Sequence, residues 1–301
     1  MKLTNILFAT FLTTSLMPTV QTRAVSFDLG AAGPSNFSVL EIGTGAPNAN
    51  VSIANAANAG FITGNVGVLS TGNVSDSGVP ITGNVYLGSG ASLNPNVAPN
   101  VSGSVSQNAA SQTLLALAAN NAVAASMTAS AQAASGGGVG VTTINTSTSE
   151  TLTSGIYNLT DLKLGNGAIL TLAAGGKYIF NISGTLSLNS AMILTAAGLS
   201  SSDVLFNVTS SQGVAFSGGL NNESVLDGII LAPDASISLT PGAVNGEIIG
   251  GGNINIASGG SVQGSPSSVP DSGSSLLLMS IGLVSLGLLK MKISSPQTAK
   301  A

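Results

Sequence analysis

Short repeats in the first third of the chain constrain its fold more than any other feature. Ile62-Thr63-Gly64-Asn65-Val66 returns as Ile81-Thr82-Gly83-Asn84-Val85, and Thr71-Gly72-Asn73-Val74 lies between the two copies. The two longer copies are separated by about the length of one coil of a β-solenoid. Gly and Asn tolerate the left-handed backbone conformations that the corner of a coil needs. The repeat therefore predicts stacked coils in which Gly-Asn pairs mark the corners.

After residue 150 the chain contains short alternating segments separated by Gly, Asn, Ser or Pro. Tyr178–Ile182, Val204–Val208 and Ile229–Ala232 recur at about one coil, and each is followed by a more polar segment. Stacked coils would align such segments into parallel sheets and bury their alternate apolar side chains. We therefore predict a mainly β protein, a parallel β-helix. A sandwich of antiparallel hairpins stays an alternative, although two-residue hairpin turns are not clearly placed.

One segment, from Ser106 to Ala134, is rich in Ala and predicts a single long α-helix that ends at Gly136-Gly137-Gly138. Its apolar residues include spacings of three and four, which is typical of a helix with one apolar stripe. The stripe residues are Leu114, Leu115, Leu117, Ala118, Val123 and Met127. Such a helix is expected to pack its stripe along the solenoid.

The surface of this protein must be covered mostly by short neutral side chains, because charged residues make up 6% of the 301 residues. Hydrophobic residues reach 44% and the mean hydropathy is +0.48, which separates the chain from disordered proteins. Between residues 25 and 269 the basic residues are Lys163 and Lys177. Two cations cannot neutralise a row of phosphates, so nucleic acid is not an expected partner.

Most enzyme chemistry is unavailable because the chain has no Cys and no His. Disulfides, Cys or His metal sites, Ser-His-Asp triads and Cys-His dyads are therefore excluded. Asp161 with Lys163, and Asp227 with Asp234, are the acidic candidates for a glycan-active site, but neither pair belongs to a larger polar cluster. The segment Asn221, Asn222, Glu223 and Asp227 lacks a calcium-loop spacing. We predict a protein that is not an enzyme, with no catalytic residue, metal or cofactor.

The N-terminus predicts export. Lys2 precedes an apolar stretch from Ile6 to Val20, and Thr22-Arg23-Ala24 follows with small residues at the positions read by a signal peptidase. We expect residues 1–24 to be a signal peptide cleaved after Ala24. An uncleaved anchor is the alternative, which Pro18 and the shortness of the apolar run disfavour. The exported domain would then span residues 25–264.

The last part of the chain, residues 265–301, predicts a linker and a sorting tail. Its apolar stretch at residues 274–289 predicts a hydrophobic helix that enters a membrane, with Lys290 and Lys292 on the cytoplasmic side. Together with Val269-Pro270-Asp271-Ser272-Gly273, this pattern resembles the VPDSG variant of the PEP-CTERM sorting signals of Gram-negative bacteria.

That resemblance implies an exosortase-like protease as a partner and a place in the cell envelope, on the cell surface or in the extracellular matrix. Members of the family usually end at the basic cluster, whereas this chain continues from Ile293 to Ala301. The alternative is a plain C-terminal anchor without processing.

Three stretches of the exported domain resemble the ice-binding-protein-like and choice-of-anchor extracellular domains. They are Ser35 to Leu40, Thr153 to Tyr157, and Asp227 to Pro233 followed by Val244 to Ile249. The resemblance implies a discontinuous β-helix with a helix alongside. It also makes ice an alternative partner to exopolysaccharide and neighbouring cells.

A solenoid of this composition is expected to present a polar face for many weak contacts. The candidate residues for an ice or glycan face are Thr171, Ser187, Ser236, Ser238, Thr240, Asn253 and Asn255. They mix Ser, Asn and Thr without a stacked Thr-x-Thr ladder. The sequence therefore favours an adhesive, exopolysaccharide-associated matrix protein, with ice binding as the alternative and a glycan-active enzyme as a lesser one.

Overall fold

The structure, a computed structural model, describes residues 25–54, 60–219 and 222–264. Eight short strands come first: β1 Val39–Glu41, β2 Val51–Ala54, β3 Ile62–Thr63, β4 Val66–Val68, β5 Asn73–Asp76, β6 Val85–Leu87, β7 Ser92–Leu93 and β8 Val105–Ser106. They are followed by the helix α1, Ala109–Ser130. Short 3-10 turns lie at Gly30–Ala32, Ala98–Asn100 and Ser201–Asp203.

The strands after the helix form a longer series. They are β9 Ser135–Gly136, β10 Ile144–Thr146, β11 Glu150–Leu152, β12 Gly155–Leu159, β13 Leu162–Gly165, β14 Ile169–Leu172, β15 Tyr178–Ile182, β16 Leu186–Asn189, β17 Met192–Thr195, β18 Val204–Val208, β19 Val214–Ser217, β20 Ser224–Ala232, β21 Ile237–Thr240, β22 Gly242–Gly250, β23 Ile254–Ala257 and β24 Ser261–Gln263. The predicted β-helix is confirmed, because the strands pair in parallel except for β9 with β12. The antiparallel sandwich is therefore wrong.

The strands line three faces of the solenoid. The helix face has the order β8-β6-β4-β1-β22-β20-β18-β15-β12-β9 and lies under α1. The array face is a separate sheet, ordered β10-β13-β16-β19-β21-β23-β2-β5-β7. The third face contains β11, β14, β17, β24, β3 and the first halves of β20 and β22. Along each coil the chain passes from the helix face to the array face, then to the third face.

The nine-residue strands β20 and β22 cross from the third face to the helix face without a break. They turn at Gly228 and Gly246, whose φ angles of 154° and 152° L side chains rarely adopt. A Cβ at Gly228 would also lie 2.7 Å from the ring of Phe206. This corner, which we call the glycine vertex, lies opposite the array face.

The solenoid is discontinuous in sequence, as the resemblance implied. Coils from residue 135 onward stack in chain order up to β22 and β23, and the N-terminal strands then continue the stack, with β1 on β22 and β2 on β23. α1 carries the chain from β8 back to β9 at the opposite end. At the glycine vertex the end of the described chain lies against the residue that precedes β1, because a Cβ on Gly264 would overlap Ser38 Oγ.

Inside the solenoid, side chains stack in register from coil to coil. The rings of Tyr157, Phe180 and Phe206 are fully buried and stack with centroids 4.9 and 4.8 Å apart. Ile230 and Ile248 continue the same column in the next coils. The repeated pattern of the predicted strands thus fills one interior column, and burial of these large apolar side chains is the main source of stability.

The helix is shorter than predicted, and its buried side differs from the predicted stripe. Leu115 and Ala118 are buried as expected, but Leu117 and Met127 are 52% and 68% exposed. The buried side consists mainly of small residues, which are Ser111, Ala118, Ala119, Ala122, Ala125, Ser126 and Ala129. Small side chains let the helix backbone approach the sheet closely, so the larger apolar residues are not all needed at the contact.

A ladder of three amides, two of them buried, fixes the helix on its face. Asn207 Nδ2 donates to Asn181 Oδ1, and Asn181 Nδ2 donates to Asn158 Oδ1, each at 2.9 Å. The same three amides donate to the carbonyl oxygens of Ser126, Ala129 and Gln132 of the helix end. These asparagines occur at equivalent positions of β12, β15 and β18, so one residue type at one coil position attaches the whole end of α1.

Candidate functional site

The array face presents small, uncharged side chains to solvent along six coils. Alternate residues of each strand point into the core, so the outward residues of neighbouring strands form columns. The central column, given by the strand register, is Ser187, Ala215, Ser238, Asn255, Ser52 and Ser75. A parallel column contains Asn189, Ser217 and Thr240. The result is a two-dimensional array. From coil to coil its residues are separated by the spacing of neighbouring strands, about 4.8 Å.

The structure brings six of the seven predicted face residues together. Ser187, Ser238, Thr240 and Asn255 are outward residues of array-face strands, and Ser236 and Asn253 immediately precede β21 and β23. Thr171 lies elsewhere, in β14 of the third face, where it pairs with Thr151 and Leu194. Each coil contains outward polar residues in more than one strand, which is why the alternation pattern alone did not separate the two faces.

A second amide ladder borders the array and was not identified from the sequence. Asn253 Oδ1 accepts from the backbone N–H of Asn50, and Asn50 Oδ1 accepts from that of Asn73, both at 2.8 Å. Asn73 Oδ1 then accepts from Ser92 Oγ at 3.3 Å. The signal was present, since Asn50, Asn73 and Asn253 each directly precede a Val or Ile that begins the buried part of a strand. The ladder holds these amides in one orientation before any ligand arrives.

Charge is confined to one end of the array. Lys163 Nζ lies 3.2 Å from Asp161 Oδ1, next to β13. The Thr185 backbone N–H and Lys163 hold the pKa of Asp161 below its ordinary value. Asp76 belongs to β5 but points inward, where its carboxylate accepts from the Val79 N–H. From Ser187 to Ser75, the described outward residues of the central column therefore form a neutral surface.

Of the other acidic pair, Asp234 is exposed in the turn before β21, and Asp227 is engaged in structural contacts. Asp227 Oδ2 accepts from the backbone N–H of Thr195, and its Oδ1 accepts from Asn245 Nδ2, both at 2.8 Å. These contacts join neighbouring coils of the third face. Among the described residues no group of three or more acidic side chains converges as a metal site would require. Asn222 forms an isolated antiparallel bridge with Gly219 and Glu223 follows it, whereas Asn221 lies outside the described residues.

Several sequence predictions fall outside the described residues. They are the signal peptide at residues 1–24 with its cleavage residue Ala24, the motif Val269, Pro270, Asp271, Ser272 and Gly273, the hydrophobic helix at 274–289, and Lys290 and Lys292. Among the helices that the structure does describe, none has the length and apolar character needed to span a bilayer.

Comparison with solved structures supports the fold assignment. The chain resembles an ice-binding protein of the Antarctic ascomycete Antarctomyces psychrotrophicus, with 22% identity, a TM-score of 0.55 and coverage of 81% of this chain and 100% of that one. An ice-binding protein from an Arctic yeast matches with 22% identity and a TM-score of 0.57, and the match covers 83% of this chain and 98% of that one. One from an Antarctic bacterium of the Flavobacteriaceae matches with 22% identity, a TM-score of 0.53 and coverage of 78% and 46%.

At these identities the likeness establishes the fold alone. No curated protein matches the chain by sequence. A family model described as ice-binding-like matches residues 48–265, which is more than half of the chain and includes every strand of the array face. The chain therefore belongs to the ice-binding-like family.

Proposed function

We propose that the protein binds ice through its array face. The observation that carries this proposal is the uncharged array of Ser, Asn, Ala and Thr in strict register from Ser187 to Ser75. A flat, regular set of hydroxyl, amide and methyl groups can hold water molecules in an ordered layer that continues into the ice lattice. Because the amide ladder and the sheet already fix the groups, little conformational entropy is lost when the face meets a crystal.

Membership of the ice-binding-like family supports this function better than the matrix-adhesion interpretation favoured by the sequence. Binding to exopolysaccharide would also use hydroxyl and amide groups, but no described feature of the array favours a sugar. The role we propose is binding rather than catalysis.

We further propose that the chain is exported by residues 1–24 and sorted by an exosortase-like protease at Val269–Gly273, in the envelope of a Gram-negative-type bacterium. The start of the described fold supports cleavage near Ala24. Ser26 accepts a hydrogen bond from Gln132 Nε2, and the Lys177 ammonium lies 5.4 Å from the centre of the Phe27 ring. Residues immediately after the expected cleavage point are thus part of the fold.

Ala215→Tyr tests the proposed function. Ala215 is exposed near the middle of the array, and a ring there would hold an ice surface away from its neighbours. We expect at least a tenfold loss of ice-recrystallisation inhibition and of partition into a growing ice hemisphere. Thr151→Tyr is the matched control on the third face, since Thr151 is also exposed, and it should retain full activity. If wild-type protein neither partitions into ice nor slows recrystallisation, the proposed function is wrong.

Asn50→Ala should produce a smaller loss. The change removes one rung of the ladder beside the array and frees the N–H of Asn73, while the strand pairing of β2 remains. We expect a few-fold weaker ice adsorption and a stability loss of about 1 kcal/mol, the usual contribution of one hydrogen bond. Ice partition and thermal melting of the same sample measure both effects. An unchanged affinity with lower stability would assign the ladder a purely structural role.

A further inference from the structure

The described chain leaves the solenoid at the glycine vertex. β24 pairs with residues Ala243–Asn245 of β22 on the third face. The Gly264 N–H then donates to the carbonyl oxygen of Thr63 at 3.0 Å. Since a Cβ on Gly264 would overlap Ser38 Oγ, the exit point is fixed between two coils.

This exit point lies opposite the array face. The three faces meet at three corners, and the glycine vertex joins the third face to the helix face, so it borders no strand of the array. The N-terminal side is also clear of the array, because Phe27 lies beside Lys177 at the start of β15 on the helix face. Both ends of the described chain therefore leave the array unobstructed.

We infer that the protein is built to hold ice while attached through its C-terminal segment, with the array directed away from the attachment. The inference rests on the proposed function of the array. Residues 265–275 separate the exit point from the apolar run at 276–289, and eleven extended residues reach about 36–40 Å. Before any processing at Val269–Gly273, a chain anchored through that run can stand clear of the anchoring surface and present its array outward. Its ligand class is then a macroscopic ice crystal bound by many attached copies, not a small crystal in free solution.

Oriented attachment tests this inference, because the chain has no Cys and any introduced thiol is unique. Full-length Ala301→Cys, Gln263→Cys and Ala215→Cys proteins in a mild non-ionic detergent are coupled to maleimide beads at equal density. Gln263 is exposed beside the exit point, and Ala215 is exposed on the array. Beads attached through Ala301→Cys or Gln263→Cys should be captured by a growing ice surface. Beads attached through Ala215→Cys should be captured at least tenfold less.

Free Ala301→Cys and Gln263→Cys proteins, each with its thiol blocked by a small alkylating reagent, separate the two hypotheses, because neither change lies on the array. If the free proteins adsorb to ice but the beads coupled through Ala301→Cys are not captured, the tethered orientation is wrong and the ice-binding function stands. Equal capture of all three bead types would also overturn the orientation. If no free variant adsorbs to ice, the proposed function fails and the inference fails with it. Circular dichroism of the three proteins checks that each variant is folded.

Discussion

Replacing Glu247 by Gln should stabilise the protein at neutral and alkaline pH and leave its stability near pH 4 almost unchanged. Glu247 is fully buried in β22, between Ile229 of the preceding coil and the segment at Ser38. In the described part of the chain neither of its carboxyl oxygens has a hydrogen-bond partner. This burial raises the pKa of Glu247 well above the ordinary value of 4.5. The folded protein therefore holds a proton that the unfolded chain releases.

The direction of the pH effect follows from proton binding. Below about pH 4.5 the carboxyl is protonated in both states, so its contribution to stability is fully present. As the pH rises, the unfolded chain loses this proton first. The stabilisation then decreases steadily until the pH exceeds the pKa of Glu247 in the folded protein. Each unit between the two pKa values lowers the free energy of unfolding by about 1.4 kcal/mol. A Gln amide carries no titratable proton, so Glu247→Gln removes this dependence of the free energy of unfolding on pH.

Chemical denaturation of wild type and Glu247→Gln between pH 4 and 9 measures the effect. Glu150→Gln is the matched control, because it makes the same chemical change at an exposed position. We expect the Glu150→Gln profile to follow wild type and the Glu247→Gln profile to diverge upward as the pH increases. Parallel profiles for all three proteins would show that Glu247 is solvated or paired in the folded state.

The sequence predicted the coil architecture but underestimated its longest strands. The segments around Ile229–Leu231 and Glu247–Ile249 were recognised, yet β20 and β22 each extend over nine residues. In a single sequence Gly228 and Gly246 resemble strand breaks. Here they turn a continuous strand around the glycine vertex, because Gly adopts the φ near 150° that this corner requires. Only the stacked neighbours reveal that the hydrogen-bond ladder continues through them.

The sequence could not show which face of the solenoid each outward side chain belongs to, and this limited the prediction of the candidate site. An alternating pattern separates inward from outward positions, but all three strands of a coil share that alternation. Ser187 and Thr171 therefore looked equivalent, although they lie on different faces. The burial of Glu247 was not predicted either, since its position within β22 gives no sign that chain segments around residues 38 and 264 close over that corner.

Asparagines illustrate how one residue type serves different purposes at different coil positions. Asn65 and Asn84 were assigned to corners, and Asn65 Oδ1 accepts from the Asn84 N–H at 2.8 Å beside the glycine vertex. Asn73, from the related repeat, belongs instead to the ladder beside the array. Asn158, Asn181 and Asn207 are followed two residues later by Thr or Ser, but they serve to dock the helix. Composition alone could not distinguish these three roles.

Asn207→Ala should cause a large loss of stability, about 3–5 kcal/mol, because it removes the most buried rung of the helix-docking ladder. Asn207 is fully buried, donates to the carbonyl of Ser126 at 3.0 Å and accepts from Ser126 Oγ at 2.6 Å. Its removal leaves Asn181 Oδ1 and both oxygens of Ser126 without these partners, and each unsatisfied buried group costs about 1–3 kcal/mol. Urea denaturation followed by circular dichroism measures the change.

Two companion variants separate hydrogen bonding from packing. Asn158→Ala removes the exposed end of the same ladder and should cost about 1 kcal/mol or less, since water can replace its contacts. Ser126→Ala combined with Asn207→Ala deletes both side chains of the buried pair, so the double variant should be more stable than the sum of the single changes predicts. Additive losses would show that Asn207 contributes volume rather than hydrogen bonds. In that case a Leu at position 207, the residue found one coil further at Leu231, should restore most of the stability.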